Sequence, residues 1–333
     1  MIEYKNIREV HLEISTFCNA ACPQCPRNFN GYPHNDGYPE LNMTLLQAKQ
    51  IFQPQFLRQL TRILINGNFG DLVMNPESTD IIEYFKEHNP NIKVVISTNG
   101  GARKREFWQT LARLDAKVMF CLDGLEDTHH LYRQNTSWSK VIENAKSFIE
   151  AGGWAIWKMI KFRHNAHQIN DCRSLAQQLG FKDFQLFDQG RDTGPVFDKN
   201  GKLTHVLGDY RGETDFKVMF VNWRSEQQTI DRYSLDKKVT KISCETREKR
   251  SIYIAANGDV FPCCWTGLYP KSFGRGSYSE AINSQISPLM HENSALEFPL
   301  EHCIKWFKQV EDSWKKDQYT GGRLYICDQT CGH

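Results

Sequence analysis

Three cysteines lie within eight residues near the start of the chain. Cys18, Cys22 and Cys25 are spaced C-x3-C-x2-C and follow an apolar run. Thiolates are soft ligands that suit iron–sulfur clusters, and three of them this close can each hold a different iron of one cubic cluster. The fourth iron is then left without a protein ligand, so a substrate or cofactor can bind it directly. The same spacing also allows a zinc loop that is closed by His11 or His34.

The chain contains 11 cysteines, and eight of them lie outside this loop. One group consists of Cys244, Cys263 and Cys264, and a second of Cys303, Cys327 and Cys331. The two isolated positions are Cys121 and Cys172. An odd number of cysteines in a 333-residue chain without a secretion signal argues against a disulfide framework. Strands at 252–255 and 260–261, joined by an Asn-Gly turn, predict a hairpin that brings Cys244 and Cys263 together.

Strands and helices alternate over the first two-thirds of the chain and must position the first cysteine loop. Six apolar runs rich in β-branched and aromatic residues are separated by stretches of helical period, which is typical of βαβ units and a parallel sheet. The predicted strands are Glu9–Thr16, Arg62–Asn66, Lys93–Ser97, Lys117–Leu122, Ala155–Phe162 and Phe184–Asp188. The predicted helices are Thr44–Leu57, Ser78–Asn89, Lys104–Leu114, Ser139–Ala151 and Asn170–Leu179. Six such units predict a partial barrel, in which chemistry gathers at the carboxyl ends of the strands.

Polar or glycine-rich segments follow several of these strands. The second strand leads into Gly67-Asn-Phe-Gly70-Asp71, where glycines let the backbone approach a ligand closely. The third strand ends in Ser97-Thr98-Asn99-Gly100, and the fourth in Cys121-Leu-Asp-Gly. Each segment also has an ordinary interpretation: Asp71 as the cap of a strand-to-helix turn, Asn-Gly as a common turn, and Cys121 as a buried structural thiol.

With the cysteine loop and these strand ends considered together, the sequence resembles the radical S-adenosylmethionine (radical SAM) superfamily. The resemblance implies a [4Fe–4S] cluster on Cys18, Cys22 and Cys25, whose open iron is chelated by SAM. It further implies that the reduced cluster cleaves SAM to methionine and a 5′-deoxyadenosyl radical, which abstracts hydrogen from a substrate. SAM is then consumed as an oxidant or regenerated.

The resemblance also implies cofactor-binding roles outside the cluster. The residues concerned are Gln24, Gly70, Asp71, Ser97, Asn99, Cys121, Arg133 and Asn165. Gly70 and Asp71 would hold the SAM ammonium group, and the guanidinium of Arg133 would pair with its carboxylate. Without the resemblance, Arg133 is typical of a surface cation, and the histidines before it of an exposed loop. Two residues depart from the family pattern: Cys121 replaces a serine that contacts SAM, and Gln24 replaces an aromatic residue that packs on adenine.

The C-terminal cysteines resemble part of the SPASM and twitch extensions of radical SAM enzymes, which bind auxiliary [4Fe–4S] clusters. The spacing is C-x13-G-x4-C from Cys244 to Cys263, followed by Cys327-x3-Cys331. A further C-x2-C-x5 segment of the full SPASM set is absent, so we expect one auxiliary cluster. Its predicted ligands are Cys244, Cys263, Cys327 and Cys331, with Cys303 or Cys264 as replacements. A structural zinc site is the alternative.

These features predict an α/β protein in three parts. We expect a partial (βα)6 TIM-like barrel over residues 1–190, a linker or substrate-facing segment of loops and turns over 191–241, and a small α+β iron–sulfur domain over 242–333. Auxiliary-cluster enzymes of this kind mostly modify peptides or proteins, or oxidise small polar molecules. The substrate is therefore predicted to be one of these, with a reductant such as flavodoxin or ferredoxin. Too few residues precede Glu9 for a dedicated leader-binding domain.

Charge and hydropathy limit the other partners. The chain has 41 basic and 39 acidic residues and a net charge of +2, which argues against nucleic acid or an anionic membrane as a general partner. The absence of a signal segment and of a long apolar run favours the cytoplasm. Lys158, Lys161 and Arg163 lie together on the fifth strand, and they keep RNA modification as an alternative within the enzyme class. A non-catalytic zinc-binding interaction protein is the alternative from a different class.

Overall fold

The computed structural model describes residues 2–33, 40–188, 194–225, 239–268, 279–318 and 322–333. Its strands are β1 (Glu9–Leu12), β2 (Asn28–Phe29), β3 (Tyr32–Pro33), β4 (Arg62–Ile65), β5 (Lys93–Thr98), β6 (Lys117–Cys121), β7 (Trp154–Ile160), β8 (Asp183–Phe187), β9 (Gly194–Phe197), β10 (Leu203–Leu207), β11 (Ser251–Ile254) and β12 (Val260–Phe261). Eight of them form one sheet in the spatial order β12-β11-β1-β4-β5-β6-β7-β8. All pairs in this sheet are parallel except β11 with β12.

Helices connect the successive parallel strands. The α-helices of the described residues are α1 (Leu45–Ile51), α2 (Pro54–Gln59), α3 (Ser78–His88), α4 (Arg105–Arg113), α5 (Glu126–Tyr132), α6 (Trp138–Glu150), α7 (Ile169–Gln178), α8 (Phe216–Ser225), α9 (Glu245–Glu248), α10 (Ser279–Ile286), α11 (Leu300–Cys303), α12 (Phe307–Ser313) and α13 (Tyr325–Cys331). In the parts of the chain that the structure describes, no helix has the length and apolar character needed to cross a bilayer.

The six predicted βα strands are all present, each within a few residues of its predicted ends. The buried residues of β1, β4, β5, β6 and β7 belong to the core, whereas β8 is partly or fully exposed along its length. Trp157 and Phe120, on neighbouring strands, are completely buried. The indole Nε1 of Trp157 donates to the carbonyl of Leu122 at 2.9 Å, which satisfies its polar atom inside the core. The mostly parallel α/β architecture predicted from the sequence is therefore confirmed.

The first predicted helix is divided in two. Thr44 caps α1 through a reciprocal capping box with Gln47, and α1 ends at Ile51. Pro54 then occupies the first turn of α2. Proline lacks an amide hydrogen and disfavours helical geometry in the residue before it, so one helix cannot run through this position. The prediction of a single helix over Thr44–Leu57 was wrong for this reason.

The C-terminal hairpin continues the barrel sheet. Strand β11 pairs in parallel with β1, with Glu9 opposite Ser251 and Leu12 opposite Ile254. Strand β12 then pairs with β11 in the antiparallel direction. The sheet therefore contains strands from both sides of the predicted boundary at residue 242. The division into residues 1–190, 191–241 and 242–333 stays a prediction.

The segment predicted to consist of loops contains regular structure where it is described. Strands β9 and β10 form an antiparallel hairpin, and helix α8 follows. The sequence did not predict these elements, and residues 191–193 and 226–238 lie outside the described residues. The rings of Phe29, Phe197, Phe216 and Phe220 pack against one another at centroid distances of 5.2 to 6.3 Å. This small aromatic cluster holds the segment against the β2–β3 hairpin.

Helix α5 buries a histidine that the sequence placed in an exposed loop. The side chain of His129 is completely buried. The backbone amide of Asp123 donates to its Nδ1 at 3.2 Å, so Nε2 carries the hydrogen and faces the hydroxyl of Thr136 at 3.1 Å. The prediction of exposure was wrong, because α5 turns this side chain under the end of β6.

The burial of His129 predicts a loss of stability in acid. Burial, followed by the charge of Arg133, lowers the pKa of His129 to about 3, well below the ordinary 6.5. The unfolded chain therefore binds a proton that the folded chain does not, so stability is complete above pH 6.5 and falls as pH decreases towards 3. Acidification from pH 6.5 to 5 is expected to cost about 2 kcal/mol through this residue.

Urea unfolding of the metal-free protein at the two pH values measures this cost. A His129→Gln variant should lose less stability on acidification than the natural chain. The matched control is His130→Gln, because His130 is the exposed neighbour on the same helix. An equal pH dependence in the natural chain and the His129→Gln variant would contradict the assignment.

Candidate active site

A cavity of about 380 Å³ opens at the carboxyl ends of the barrel strands. Residues that follow β1, β4, β5 and β6 line it, and β7 contributes Lys158 and Ile160. The three loop cysteines are in its wall, together with seven of the eight predicted cofactor-binding residues. Those seven are Gln24, Gly70, Asp71, Ser97, Asn99, Cys121 and Arg133. The fold thus brings together residues that are more than one hundred positions apart in the chain.

The three loop thiols lie within electrostatic range of one another. Burial raises the pKa of Cys22 to about 11, against the opposing effect of Arg133 and with a further increase from Cys25. Burial also raises the pKa of Cys18, and Asp71 and the two other thiols add to that effect. A thiolate in this wall is therefore costly on its own, and bound iron would remove the cost by supplying positive charge. The donor set fits an iron–sulfur cluster in this respect.

The two histidines considered as zinc ligands differ in what the structure says of them. His11 lines the cavity, but its Nε2 lies 2.5 Å from the carbonyl oxygen of Asn66. Burial lowers the pKa of His11 to about 4, so the ring is neutral and its Nε2 donates to that carbonyl. His34 lies outside the described residues.

Asp71 organises the edge of the cavity. Its carboxylate is 6% exposed and accepts hydrogen bonds from the hydroxyl of Thr98 at 2.7 Å and from the backbone and side-chain amides of Asn99 at 2.7 and 2.8 Å. A further bond comes from the amide of Val73 at 3.2 Å, which caps the short turn after the loop. Asp71 therefore joins the segments after β4 and β5. Asp71 lines the cavity and has the ordinary capping role, and its contact with a ligand stays a prediction.

Arg133 is a buried wall residue, and its interpretation as a surface cation was wrong. Its side chain is 15% exposed, and its Nε lies 2.6 Å from the fully buried carboxylate of Asp123. The other oxygen of Asp123 accepts from the amide of Ile160 at 2.6 Å, which fixes the carboxylate. The Nη1 of Arg133 also donates to the sulfur of Cys22 at 3.7 Å. Arg133 therefore links the cysteine loop to the end of β7.

Asn165 does not reach the cavity. It is completely buried, its Oδ1 accepts from the amide of Phe162 at 2.8 Å, and its Nδ2 donates to the carbonyl of Ile160 at 3.0 Å. These bonds use the side chain to shape the turn after β7. Asn165 therefore shapes this turn, and its contact with the cofactor stays a prediction.

Two basic residues of the fifth predicted strand pair with carboxylates, and a third lines the cavity. Lys161 pairs with Asp188 at 2.9 Å, and Arg163 pairs with Asp209. Lys158 lines the cavity and lies over the ring of Phe187, with Nζ 4.9 Å from the ring centre. Cys121 is opposite Lys158 in the sheet register, and its sulfur lies 3.5 Å from the hydroxyl of Ser97. Lys158 is therefore the member of this set that faces the space where a substrate would lie.

Sequence reasoning did not identify three residues beside the cavity. Glu13 is buried at the end of β1, and its carboxylate accepts from the amides of Phe69 and Gly70 in the glycine loop. Tyr253, on β11, donates its hydroxyl to the same carboxylate. Trp265 follows β12 and lines the cavity while 46% exposed. An acidic residue inside an apolar strand was the available signal for Glu13, since buried carboxylates are rare unless they have partners.

The four predicted auxiliary cysteines come together in the C-terminal region. Cys244 precedes α9, Cys263 follows β12, and Cys327 and Cys331 lie one turn apart on α13. A β-bridge between Ile242 and Gly332 places the first segment beside the last. A hydrogen bond from the thiol of Cys331, as the main effect, lowers the pKa of Cys244 to about 6. Burial raises the pKa of Cys327, and the charges of Cys263 and Cys244 raise it further.

The two replacement cysteines lie elsewhere. Cys264 lines the cavity, and the sulfur of the fully buried Cys303 lies 3.6 Å from the carbonyl oxygen of Phe298. The choice of the first four thiols as ligands stays a prediction. Among the described residues, no three His, Cys, Asp or Glu side chains converge closely enough to hold a single metal ion. The four thiols lie close enough to shift one another's pKa values.

Comparisons with known proteins agree with this geometry. The family model described as Radical SAM superfamily matches residues 12–164. A curated relative, the FeMo cofactor biosynthesis protein NifB of Methanocaldococcus jannaschii, is 25% identical over 120 residues, which are 35% of this chain and 39% of that protein. The chain thus aligns with well under half of this relative's length.

Two solved structures share the fold over nearly the whole chain. Streptococcus suis SuiB bound to S-adenosylmethionine superposes with a TM-score of 0.59 at 14% identity, covering 98% of this chain and 73% of that one. Native anSMEcpe with bound AdoMet gives a TM-score of 0.57 at 16% identity, covering 97% of this chain and 89% of that one. Residues 12–164 therefore match the Radical SAM superfamily model, and the chain shares the fold of these two structures.

Proposed function

We propose that this enzyme reductively cleaves SAM at a [4Fe–4S] cluster held by Cys18, Cys22 and Cys25, and abstracts hydrogen from a peptide, protein or small polar substrate. The observation that carries the proposal is the shared cavity, which the three loop thiols and seven predicted cofactor-binding residues line together. When bound, the cluster supplies the electron and SAM supplies the hydrogen-abstracting group. The protein's part is to hold both groups and the substrate in position and to exclude water.

The residues of the cavity divide this task. Gly70 and the neighbouring backbone would contact the SAM ammonium group, because glycine leaves room for close approach. Asp71 would orient Asn99 and add negative charge on the same side. A guanidinium group has five N–H donors. Arg133 would bind the SAM carboxylate with those donors that are not bonded to Asp123 and Cys22. Gln24 would hydrogen-bond the base, and Cys121 with Ser97 would lie on the ribose side.

We further propose one auxiliary [4Fe–4S] cluster on Cys244, Cys263, Cys327 and Cys331, in a SPASM- or twitch-like domain over residues 242–333. Support comes from the electrostatic contact among all four thiols and from the bridge that joins their segments. Four thiolates also suit structural zinc, so metal analysis decides between the two. A reductant such as flavodoxin or ferredoxin and a cytoplasmic location belong to the same proposal.

A peptide or protein substrate has the better support. Structures of SuiB bound to the precursor peptide SuiA and of anSMEcpe with bound AdoMet and a Kp18Cys peptide share this fold, each with a TM-score of 0.53. Lys158, in the cavity wall, would attract an acidic group of the substrate. RNA modification has less support, because Lys161 and Arg163 are already paired with Asp188 and Asp209.

Anaerobic purification followed by metal and product analysis tests the proposal. We expect a brown protein with roughly eight iron atoms if both clusters are cubane, and 5′-deoxyadenosine from SAM after reduction with dithionite. Deuterium transfer from labelled metabolites or peptides of a cell extract into 5′-deoxyadenosine would then identify the substrate class. A colourless protein with stoichiometric zinc and no 5′-deoxyadenosine would support the zinc-binding interaction protein instead.

Replacing Gly70 tests the glycine loop directly. A Cβ atom at this position would lie 1.9 Å from the carbonyl oxygen of Ser15 and 2.8 Å from that of Phe17. Both are backbone atoms that cannot rotate away, so Gly70→Ala must displace the loop. A shift of about 1 Å in a positioning element can cost on the order of 100-fold, and we expect SAM affinity to fall by that order.

Equilibrium dialysis of SAM against the iron-loaded protein measures the change. Gly152→Ala serves as the control, because a methyl group there meets no atom within 4 Å and the backbone φ of +87° costs only about 1 to 2 kcal/mol of stability. SAM affinity within threefold of the natural chain in Gly70→Ala would remove this loop from the SAM site.

A further inference from the structure

The carboxylate of Glu13 lies where the barrel meets the C-terminal hairpin. Glu13 directly follows β1, is 1% exposed, and its amide donates to the carbonyl of Ile254 at 2.9 Å. Burial raises the pKa of this carboxyl group, which shows that the position is costly for a charge. A buried carboxylate is retained at such a position only when its oxygens accept several hydrogen bonds, and an apolar residue would otherwise serve the sheet better.

One oxygen of this carboxylate holds the glycine loop. Oε1 accepts from the amide of Phe69 at 2.7 Å and from the amide of Gly70 at 3.0 Å. The loop also packs closely on the same atom, since a Cβ on Gly67 would lie 2.5 Å from it. Glu13 therefore binds two successive amides of a loop whose residues 67–70 all line the cavity.

The other oxygen is held by the C-terminal hairpin. The hydroxyl of Tyr253 donates to Oε2 at 2.7 Å, and the ring of Tyr253 is completely buried, edge-on to His11 at 5.1 Å. A second contact joins the same loop to the same hairpin, because Nδ2 of Asn68 donates to the carbonyl of Cys264 at 2.8 Å. The loop is thus fixed from the C-terminal region at two points.

We propose that Glu13 and Tyr253 are positioning residues for SAM, which act through the 67–70 loop and make the C-terminal hairpin a structural part of the SAM site. This inference rests on the proposed function, in which that loop contacts SAM. Glu13 and Tyr253 do not contact the cofactor themselves. Tyr253 fixes the carboxylate, the carboxylate fixes the two amides, and the amides set the direction of the loop carbonyls.

The test measures SAM affinity of the anaerobically reconstituted full chain by equilibrium dialysis, without turnover. Glu13→Ala leaves two loop amides without an acceptor, so we expect SAM to bind about 30-fold or more weakly. Glu13→Gln keeps an oxygen for the loop and offers its amide group to the oxygen of Tyr253, so affinity should return to within about threefold. Tyr253→Phe should weaken binding by about 5- to 10-fold.

Tyr84→Phe is the matched control. Tyr84 is also buried, and its hydroxyl donates to the carbonyl of Phe52 at 2.9 Å, away from the cavity. It reports the effect of losing one buried tyrosine hydrogen bond, and SAM affinity should stay within twofold of the natural chain. Iron content and thermal unfolding of Tyr253→Phe should match those of Tyr84→Phe.

The outcomes separate this inference from the proposed function. If the natural chain binds no SAM, the proposed function fails, and the positioning role fails with it. If the natural chain binds SAM and Tyr253→Phe binds it within twofold as tightly, the inference alone is overturned. If Glu13→Ala does not fold, the comparison of Tyr253→Phe with Tyr84→Phe still decides, because each change removes one buried tyrosine hydroxyl and keeps the ring. A weakening in Tyr253→Phe that Tyr84→Phe does not share supports the positioning role.

Discussion

Cys22→Ala is expected to abolish the cleavage of SAM while leaving the C-terminal metal in place. Cys22 is 8% exposed, lies within electrostatic range of Cys25, and accepts a hydrogen bond from Arg133. Changes beside a metal site typically cost 10- to 100-fold in metal affinity, and removal of a ligand should cost more. Production of 5′-deoxyadenosine, measured by chromatography after reduction, should fall to the background of the assay. Iron should decrease by about four atoms of roughly eight.

The control for this variant is Cys172→Ala. Cys172 is completely buried on α7 and lies outside both cysteine groups, so its loss tests the effect of removing any buried thiol. Iron content and SAM cleavage should both remain near those of the natural chain. Cleavage that persists in Cys22→Ala would show that the first loop is not the SAM-binding cluster.

Cys327→Ala is expected to remove the auxiliary metal and to spare the cleavage of SAM. Cys327 lies on α13 and is within electrostatic range of Cys263 and Cys244, so its loss takes one ligand from the proposed four. Iron should again fall by about four atoms, while reduced protein without substrate still produces 5′-deoxyadenosine. Turnover of a substrate that needs the auxiliary cluster would be lost. Mössbauer or iron assays together with product analysis distinguish these effects.

Cys303→Ala provides the matched control for the C-terminal group. Cys303 is also a buried C-terminal cysteine, and its sulfur faces the carbonyl oxygen of Phe298. Its variant should keep the full iron content. If Cys303→Ala and Cys327→Ala lost equal amounts of iron, the choice of four ligands would be wrong. If Cys327→Ala lost zinc, the auxiliary site would be a structural zinc site.

The sequence predicted the barrel strands well because their burial depends on local composition. Each strand from β4 to β7 is a short run rich in apolar residues, and the buried residues of these strands belong to the core. The segment around α8 was harder, because its aromatic residues pack on a hairpin that lies far away in the sequence. The ring of Phe216 lies 4.7 Å from that of Tyr32, a contact that no local pattern reveals.

The candidate site likewise contains residues that the sequence could predict and residues that it could not. Residues at strand ends, such as Asp71 and Asn99, could be predicted because a parallel sheet collects those ends on one edge. For Asn165, the sequence does not show whether a polar side chain faces the cavity or bonds to its own turn, and in the structure it bonds to its turn. Glu13 was missed because its partner Tyr253 is 240 residues away. The pairing of β11 with β1 that joins them was not part of the predicted partial barrel.

The same pairing has a consequence for how the protein is made. Strand β1 leaves the ribosome well before β11, which covers its outer edge and begins only after residue 250. Contacts of such long separation form late in folding, because the closure of a long loop costs entropy before any contact rewards it. During synthesis, the edge of β1 and the Glu13 carboxylate therefore lack their partners in the hairpin until residues 251–261 have been translated. Assembly of the complete cavity, which residues after this hairpin also line, is thus tied to the translation of the C-terminal region.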